Sequence, residues 1–308
     1  MRYLVTGAAG FIGSHLAGSL LAAGHDVVGV DAFTDYYDPQ RKRENVRDLD
    51  VLEADLLVAD LDGLLAGVDG AFHLAGQPGV RASFGPGFED YVTRNVHVSG
   101  RMFEAAARHG VRVVHASSSS VYGDAESYPT PESASPRPIS PYGVTKLCVE
   151  HLAYAHGRAS GLDAVGVRYF TVYGPRQRPD MAFTPLLEAL ADGGSFRLFG
   201  DGSASRSFTF VRDAVDATLA AMQRGGSGEI YNVGGGDEAT MAQVIALAEQ
   251  ISGATLSVER HGAATGDVRR TRADVAKAEH ELDWRPTTGL EDGLRAQWAW
   301  VAARVAAP

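Results

Sequence analysis

Cysteine is almost missing from this 308-residue chain. Cys148 stands alone, which excludes an internal disulfide and suits a reducing compartment, so a cytoplasmic location is expected. It falls in an apolar helical pattern, where a small buried residue is the expected role. No apolar run reaches the length of about 18 residues that a membrane-spanning helix needs, and the N-terminus enters a strand pattern without a secretory signal. The ten histidines show neither H-E-x-x-H nor Cys/His ligand spacing, so no metal is expected. Positive charge is scarce too: Lys+Arg 28 against Asp+Glu 38 gives a net charge of −10, which argues against nucleic acid or anionic membrane as a partner. An anionic ligand must therefore be met by local arginines.

The residues present point to a dinucleotide. A short apolar run at residues 3–6 reads as a buried parallel strand, and Gly7, Gly10 and Gly13 follow at three-residue spacing. An apolar helical pattern then opens with Phe11 and Ile12. Such a turn lets backbone approach a pyrophosphate, and the helix N-terminus offers free N–H groups and partial positive charge. Packing of helix on strand is the alternative reading of these glycines. A second apolar strand ends in Asp31, placed where a carboxylate would take the adenosine ribose hydroxyls of NAD and repel the extra phosphate of NADP. With both features in register, NAD is the expected cofactor.

Strand and helix patterns alternate to about residue 115, as a doubly wound sheet requires, with strands expected at 2–6, 26–30, 50–54, 70–74 and 112–116. Asp55 and Leu56 follow the third strand, where the acid can meet the adenine edge or serve a turn. His73 to Gly76, including Leu74, close the fourth, where the cofactor's second phosphate and nicotinamide ribose should pass. A long amphipathic helix is expected over 88–109, with Asn95 either a packing residue or part of a proton path. Beyond the fifth strand come Ser117, Ser118, Ser119 and Ser120. Tyr142 and Lys146 then open a helix on a shared face, where an ammonium beside a phenol is expected to lower the tyrosine pKa and make it a general base.

Together these features resemble the extended short-chain dehydrogenase/reductase family, specifically its nucleotide-sugar epimerases and dehydratases. The resemblance implies an α/β fold: a Rossmann-type doubly wound parallel sheet with a smaller C-terminal substrate-binding lobe. Residues 1–174 would carry NAD and the Tyr/Lys helix, and residues 175–308 mainly the nucleotide-sugar lobe, with some segments returning to the first domain. It implies Tyr142 as base, Ser118 as its hydroxyl partner, and Lys146 as the residue that binds ribose and tunes the tyrosine. The family's 4,6-dehydratases carry Asp-Glu where this chain has Ser119-Ser120, and its decarboxylases carry Glu and Asn at the positions of Ser120 and Thr171.

Three segments, 35–43, 77–81 and 169–182, are similar to UDP-glucuronate 4-epimerases, with a departure at Arg176-Gln177. The implied reaction is C4 epimerisation of UDP-glucuronate to UDP-galacturonate through a 4-keto intermediate. A UDP-glucose or other nucleotide-sugar 4-epimerase and a decarboxylase are the alternatives. A non-catalytic NAD sensor would typically lack the Tyr142–Lys146 pair retained here. Ser119, Ser120, Thr171 and an arginine, Arg81 or Arg178, are suitable donors to the sugar carboxylate. Arg206 and the pair Arg269 and Arg270, which follows Gly266 and Asp267, are expected at the diphosphate. A capping box at Thr240 and Gln243 should open a helix to residue 251, and Trp284, Trp298 and Trp300 should anchor the C-terminal helices. The resemblance also implies a homodimer through the helices around Asn95 and Tyr142.

Overall fold

The computed structural model describes residues 1–262, 266 and 268–306. Short apolar runs become strands and amphipathic stretches become helices in strict alternation: β1 (Arg2–Thr6), α1 (Phe11–Ala22), β2 (Asp26–Asp31), α2 (Pro39–Asn45), β3 (Val51–Glu53), α3 (Leu61–Leu65) and β4 (Gly70–His73). Next, α4 (Phe88–Tyr91), a π-helical turn (Val92–His97) and α5 (Val98–His109) run end to end. The helix expected over 88–109 is therefore present, with a wide turn centred on Asn95. Then come β5 (Val113–Ser118), α6 (Pro141–Ser160), β6 (Ala164–Tyr169), β7 (Thr171–Tyr173), α7 (Phe183–Asp192), β8 (Ser195–Phe199) and β9 (Ser205–Phe210). The chain closes with α8 (Val211–Arg224), β10 (Ile230–Val233), β11 (Glu238–Thr240), α9 (Met241–Ser252), β12 (Ser257–His261), β13 (Arg270–Thr271), α10 (Ala276–Leu282) and α11 (Leu290–Val305).

Seven parallel strands form the main sheet in the order β10-β6-β5-β4-β1-β2-β3. Strands β4 and β6 are buried along their whole length, the reason their sequences read as unbroken apolar runs apart from His73 and Arg168. Helices α1 and α8 pack on one face, while α3, α5 and α6 cover the other, each with its own apolar core. Burying a side chain such as Leu4, Leu16 or Phe72 contributes about 1.5–3 kcal/mol, so these layers carry most of the fold's stability. Strand order reverses between β1 and β4, and that switch point opens a crevice beyond the strands' carboxyl ends. This is a Rossmann-type sheet.

The last third builds a smaller lobe around β9, which pairs with β7 and β13 in parallel and with β11 antiparallel. Tyr173, Phe183, Leu186, Leu187 and Leu294 fill its core between α7, α9 and α11. Strand β10 leaves this region to join the edge of the main sheet beside β6. The Thr240–Gln243 capping box opens α9 as expected. Trp284 is buried and donates its indole N–H to the Asp213 carbonyl at 3.0 Å, tying α10 to α8, while Trp298 and Trp300 pack against the lobe's core from α11. Cys148 is half-buried on α6 rather than fully enclosed.

Candidate active site

The glycine turn is held in one conformation by its neighbours. Gly7 and Ala8 both donate their N–H to the Val30 carbonyl, at 2.8 and 3.2 Å, and Gly10 donates to the Gly7 carbonyl at 3.0 Å. Gly7 has φ +69°, and Gly13 lies so close that a Cβ there would stand 2.1 Å from the Gly7 oxygen. Gly10 caps α1 without a side-chain hydrogen bond, which leaves the first N–H groups of this helix available to an anion. Phe11 is buried beneath the turn and Ile12 is half-buried beside it.

Asp31 ends β2 at the turn's edge, accepting the Ala9 N–H at 3.1 Å and the Phe33 N–H at 2.8 Å. Asp55 is exposed and accepts the Leu57 N–H at 2.9 Å, so it serves the turn; Leu56 beside it is buried. Leu74 is half-buried where β4 leaves the sheet, and Ala75 donates its N–H to Thr6 Oγ1 at 3.2 Å. A Cβ-free turn, an unsatisfied helix N-terminus and a carboxylate beyond it form a cradle that fits a dinucleotide.

On the other side of the crevice, β5 delivers Ser118 and α6 delivers Tyr142. Ser140 accepts the Gly143 N–H at 3.1 Å and Pro141 takes the first helical position, which starts α6 beside the serine loop. A side chain at Gly143 would meet the Ser120 carbonyl at 2.5 Å, so glycine allows the helix start to touch that loop. The Ser118 hydroxyl accepts the Ser120 N–H at 3.1 Å and faces the Tyr142 phenol, on which it acts to lower the pKa. Lys146, one turn along, donates to the Ala116 carbonyl at 3.0 Å, with its ammonium 6.0 Å from the Tyr142 ring centre. Asn95, in the π-helical turn, accepts the Gln77 N–H at 2.7 Å and donates to the Gln77 carbonyl and the Thr145 hydroxyl. It thus ties the loop after β4 to α6.

One electrostatic expectation is corrected. The Tyr142 pKa is raised, not lowered: burial dominates, the Ser118 hydrogen bond and the Arg178 guanidinium oppose it, and Asp180 adds to it. The same burial brings Lys146 down to about 8, opposed by the charge of Glu150. Helix spacing placed the two groups together, but desolvation of the phenol sets the direction of its shift.

The arginines are more committed than their sequence context implied. Arg178 grips Asp180 through Nε at 2.9 Å and Nη2 at 3.1 Å, and Tyr36 donates to the same carboxylate at 3.2 Å. Arg178 and Asp180 both act on Tyr142, which puts this cluster beside the catalytic candidates. Arg81 stacks on Phe199, 4.2 Å from the ring centre, joining the β4 loop to the smaller lobe. Arg206 donates to the carbonyls of Ser205 and Val268. Arg270 pairs with Glu238 at 2.6 and 2.8 Å and lies over Tyr128, which makes it a brace, whereas Arg269 is exposed; Asp267 lies outside the described residues. Thr171 is half-buried at the start of β7, two residues past the Ser118–Tyr169 register of β5 and β6.

Sequence reasoning gave no role to Tyr36, Asp180, Glu150 or Arg168. Glu150 and Arg168 carried a signal: a charged residue inside the otherwise apolar β6 demands a buried partner. Among the described residues, no group of three or more His, Cys, Asp or Glu side chains could hold a metal ion, and no helix is long and apolar enough to cross a membrane.

Comparison with known proteins agrees with this geometry. The family described as "NAD dependent epimerase/dehydratase family" matches residues 3–234. A Bacillus subtilis (strain 168) protein named "Uncharacterized UDP-glucose epimerase YtcB" is 41% identical, with 98% of each chain covered. The UDP-glucose 4-epimerase of Mycolicibacterium smegmatis is 40% identical, with 96% of each chain covered. The solved UDP-glucuronic acid 4-epimerase of Bacillus cereus, in complex with UDP-glucuronic acid and NAD, superposes with a TM-score of 0.95 at 39% identity, covering 99% of this chain and all of that one.

Proposed function

The chain belongs to the NAD-dependent epimerase/dehydratase family, and from that premise we propose that it interconverts UDP-glucuronate and UDP-galacturonate at C4. It is an isomerase that uses NAD. The observation that supports the sugar assignment is the run of short hydroxyls at the end of β5, Ser118, Ser119 and Ser120, with Thr171 beginning β7 just past the paired strand β6 and no carboxylate in the run.

Tyr142 removes the proton from the sugar's 4-hydroxyl, with the Ser118 hydroxyl facing it as the polar partner of that oxygen. Bound NAD supplies hydride acceptance and hydride return at C4, so net redox change is zero. Gly7, Gly10, Phe11, Ile12 and Gly13 would hold its phosphates, Asp31 its adenosine ribose, Asp55, Leu56 and Leu74 its flanks, and Lys146 its nicotinamide ribose. The 4-keto sugar must turn over within the site before Tyr142 returns the proton. With glucuronate that intermediate is a β-keto acid, prone to lose CO2. Ser119, Ser120, Thr171 and Arg178 or Arg81 hold its carboxylate charged and out of line with the ketone. Arg206 and Arg269 bind the diphosphate in the lobe formed mainly by residues 175–308.

NMR of the protein with UDP-glucuronate, following the anomeric and H4 signals, tests the assignment. UDP-galacturonate with its carboxylate intact is the expected product. A pentose product would make this a decarboxylase. Turnover of UDP-glucose alone would support the second reading, which the UDP-glucose epimerases among its relatives favour. We also propose a cytoplasmic homodimer joined through α5 and α6, supported by the exposed Val92, Val144 and Tyr154 on this helical layer. Sedimentation at the mass of a monomer would refute the dimer.

A further inference from the structure

We propose that Glu150, clamped by Arg168, is a positioning residue whose negative charge keeps the Lys146 ammonium protonated beside Tyr142. The inference rests on the epimerase reading only for the role of Lys146 in turnover. Tyr142, Lys146 and Glu150 follow one another at four-residue spacing on α6 and so share one helix face, with the lysine between the phenol and the carboxylate.

The surroundings of Lys146 explain why it needs such a partner. Its side chain is buried, and its ammonium donates to the Ala116 carbonyl on β5. His73 faces it from β4 and His115 from β5, and burial holds both imidazoles neutral, with pKa values near 3. Asn95 reaches toward it past Gly76 from the π-helical turn: a Cβ on Gly76 would stand 2.7 Å from Asn95 Oδ1 and 3.5 Å from Lys146 Nζ. Tyr142 completes the shell with a phenol whose pKa burial raises. Glu150 is the one carboxylate acting on the lysine among the described residues.

Glu150 itself cannot swing away. Its Oε1 accepts the Ser117 hydroxyl at 2.5 Å and Arg168 Nε at 2.8 Å, and its Oε2 accepts Arg168 Nη2 at 2.7 Å. Arg168 Nη1 donates to the Tyr122 hydroxyl at 2.7 Å, which donates in turn to Asn232 Oδ1 at 2.8 Å. Asn232 then donates to the carbonyls of Thr130 and Asp274. Ser117 precedes Ser118 on β5, and Arg168 lies opposite Ser117 in the β5–β6 register. The carboxylate is therefore fixed to two strands directly behind the catalytic candidates. Stability alone is a poor account of the pair, since buried ion pairs are often replaceable by apolar groups without loss.

The test follows the Lys146 13Cε resonance and the pH profile of kcat in the full-length, NAD-loaded protein. Lys42, Lys146 and Lys277 are the chain's lysines, so Lys146→Arg assigns the signal. Glu150→Gln should move both the Lys146 titration and the alkaline limb of kcat down by about one pH unit or more, with KM unchanged at low pH. Glu150→Asp should hold both near the wild-type position. The double variant Glu150→Leu/Arg168→Met removes both charges together, so it should cost less Tm than Glu150→Gln, which leaves Arg168 unpaired, and still shift the titration downward. Wild-type titration of Lys146 in Glu150→Gln or in the double variant would overturn the proposal. If the wild-type protein epimerised no nucleotide sugar, the functional reading would fail, while the 13Cε titration would still decide the role of Glu150.

Discussion

Gly13→Ala should disable cofactor binding while Gly18→Ala, the same change on the same helix, should not. At Gly13 the added Cβ would lie 2.1 Å from the Gly7 oxygen, 2.9 Å from its carbonyl carbon and 3.2 Å from Ala8 Cα. Ordinary carbon contacts sit at about 3.5 Å or more, so the turn must open by roughly 1.4 Å. All three neighbours are backbone, and the bonds from Gly7, Ala8 and Gly10 leave them little room to retreat. Opening the turn pulls N–H groups away from the pyrophosphate. Losing one or two charge-assisted bonds costs about 2–4 kcal/mol, or about 30- to 1,000-fold in Kd for NAD. At Gly18 an added Cβ meets nothing within 4 Å, so NAD affinity should hold and stability should rise by about 0.5–1 kcal/mol. Calorimetric titration of NAD into both variants checks this. A Gly13→Ala protein within about threefold of the wild-type Kd would refute the cradle.

The remaining expectations concern the chemistry. Tyr142→Phe should lower kcat by about 10²–10⁴-fold while NAD affinity stays at the wild-type value, and full activity in steady-state assays would overturn its role as base. Thr171→Ala should raise the CO2 released per epimerisation event, measured by trapping gas from carboxyl-labelled UDP-glucuronate. An unchanged ratio would remove Thr171 from the grip on the sugar carboxylate.

Much of the main sheet was legible because strands buried on both faces cannot avoid being apolar, and glycine and acid punctuate them where a nucleotide needs room and a ribose partner. The strands at 2–6 and 26–30 match to within a residue, and β5 runs on to Ser118, placing the serine loop at the crevice. Pairings between distant segments left no local trace. Tyr36 meets Asp180 across 144 residues of sequence, and Ser117 meets Glu150 across 33. Spacing on α6 gave the neighbours of Tyr142 correctly but not the sign of its shift, because periodicity carries no measure of desolvation. The π-helical turn at Asn95 was also invisible: an amphipathic pattern keeps its apolar face whether one turn widens or not.

The acidic balance of the chain takes on a sharper meaning beside these contacts. A protein of net charge −10 that accepts a nucleotide sugar must attract it locally, and candidate arginines are present. Yet Arg178 already holds Asp180, Arg270 holds Glu238, and Arg206 donates to two carbonyls. An anion meeting these three would therefore exchange partners rather than fill open ones. The net gain from each arginine is the difference between two hydrogen-bonded states, smaller than a new charge-assisted bond but strongly dependent on geometry. A site built this way gains discrimination more than affinity, since an anion placed slightly wrongly releases the internal partner without replacing it. That suits a reaction whose intermediate must turn within the site while its carboxylate stays held. In the proposed reaction the diphosphate end would stay fixed in the smaller lobe while the sugar turned against Tyr142 and Ser118.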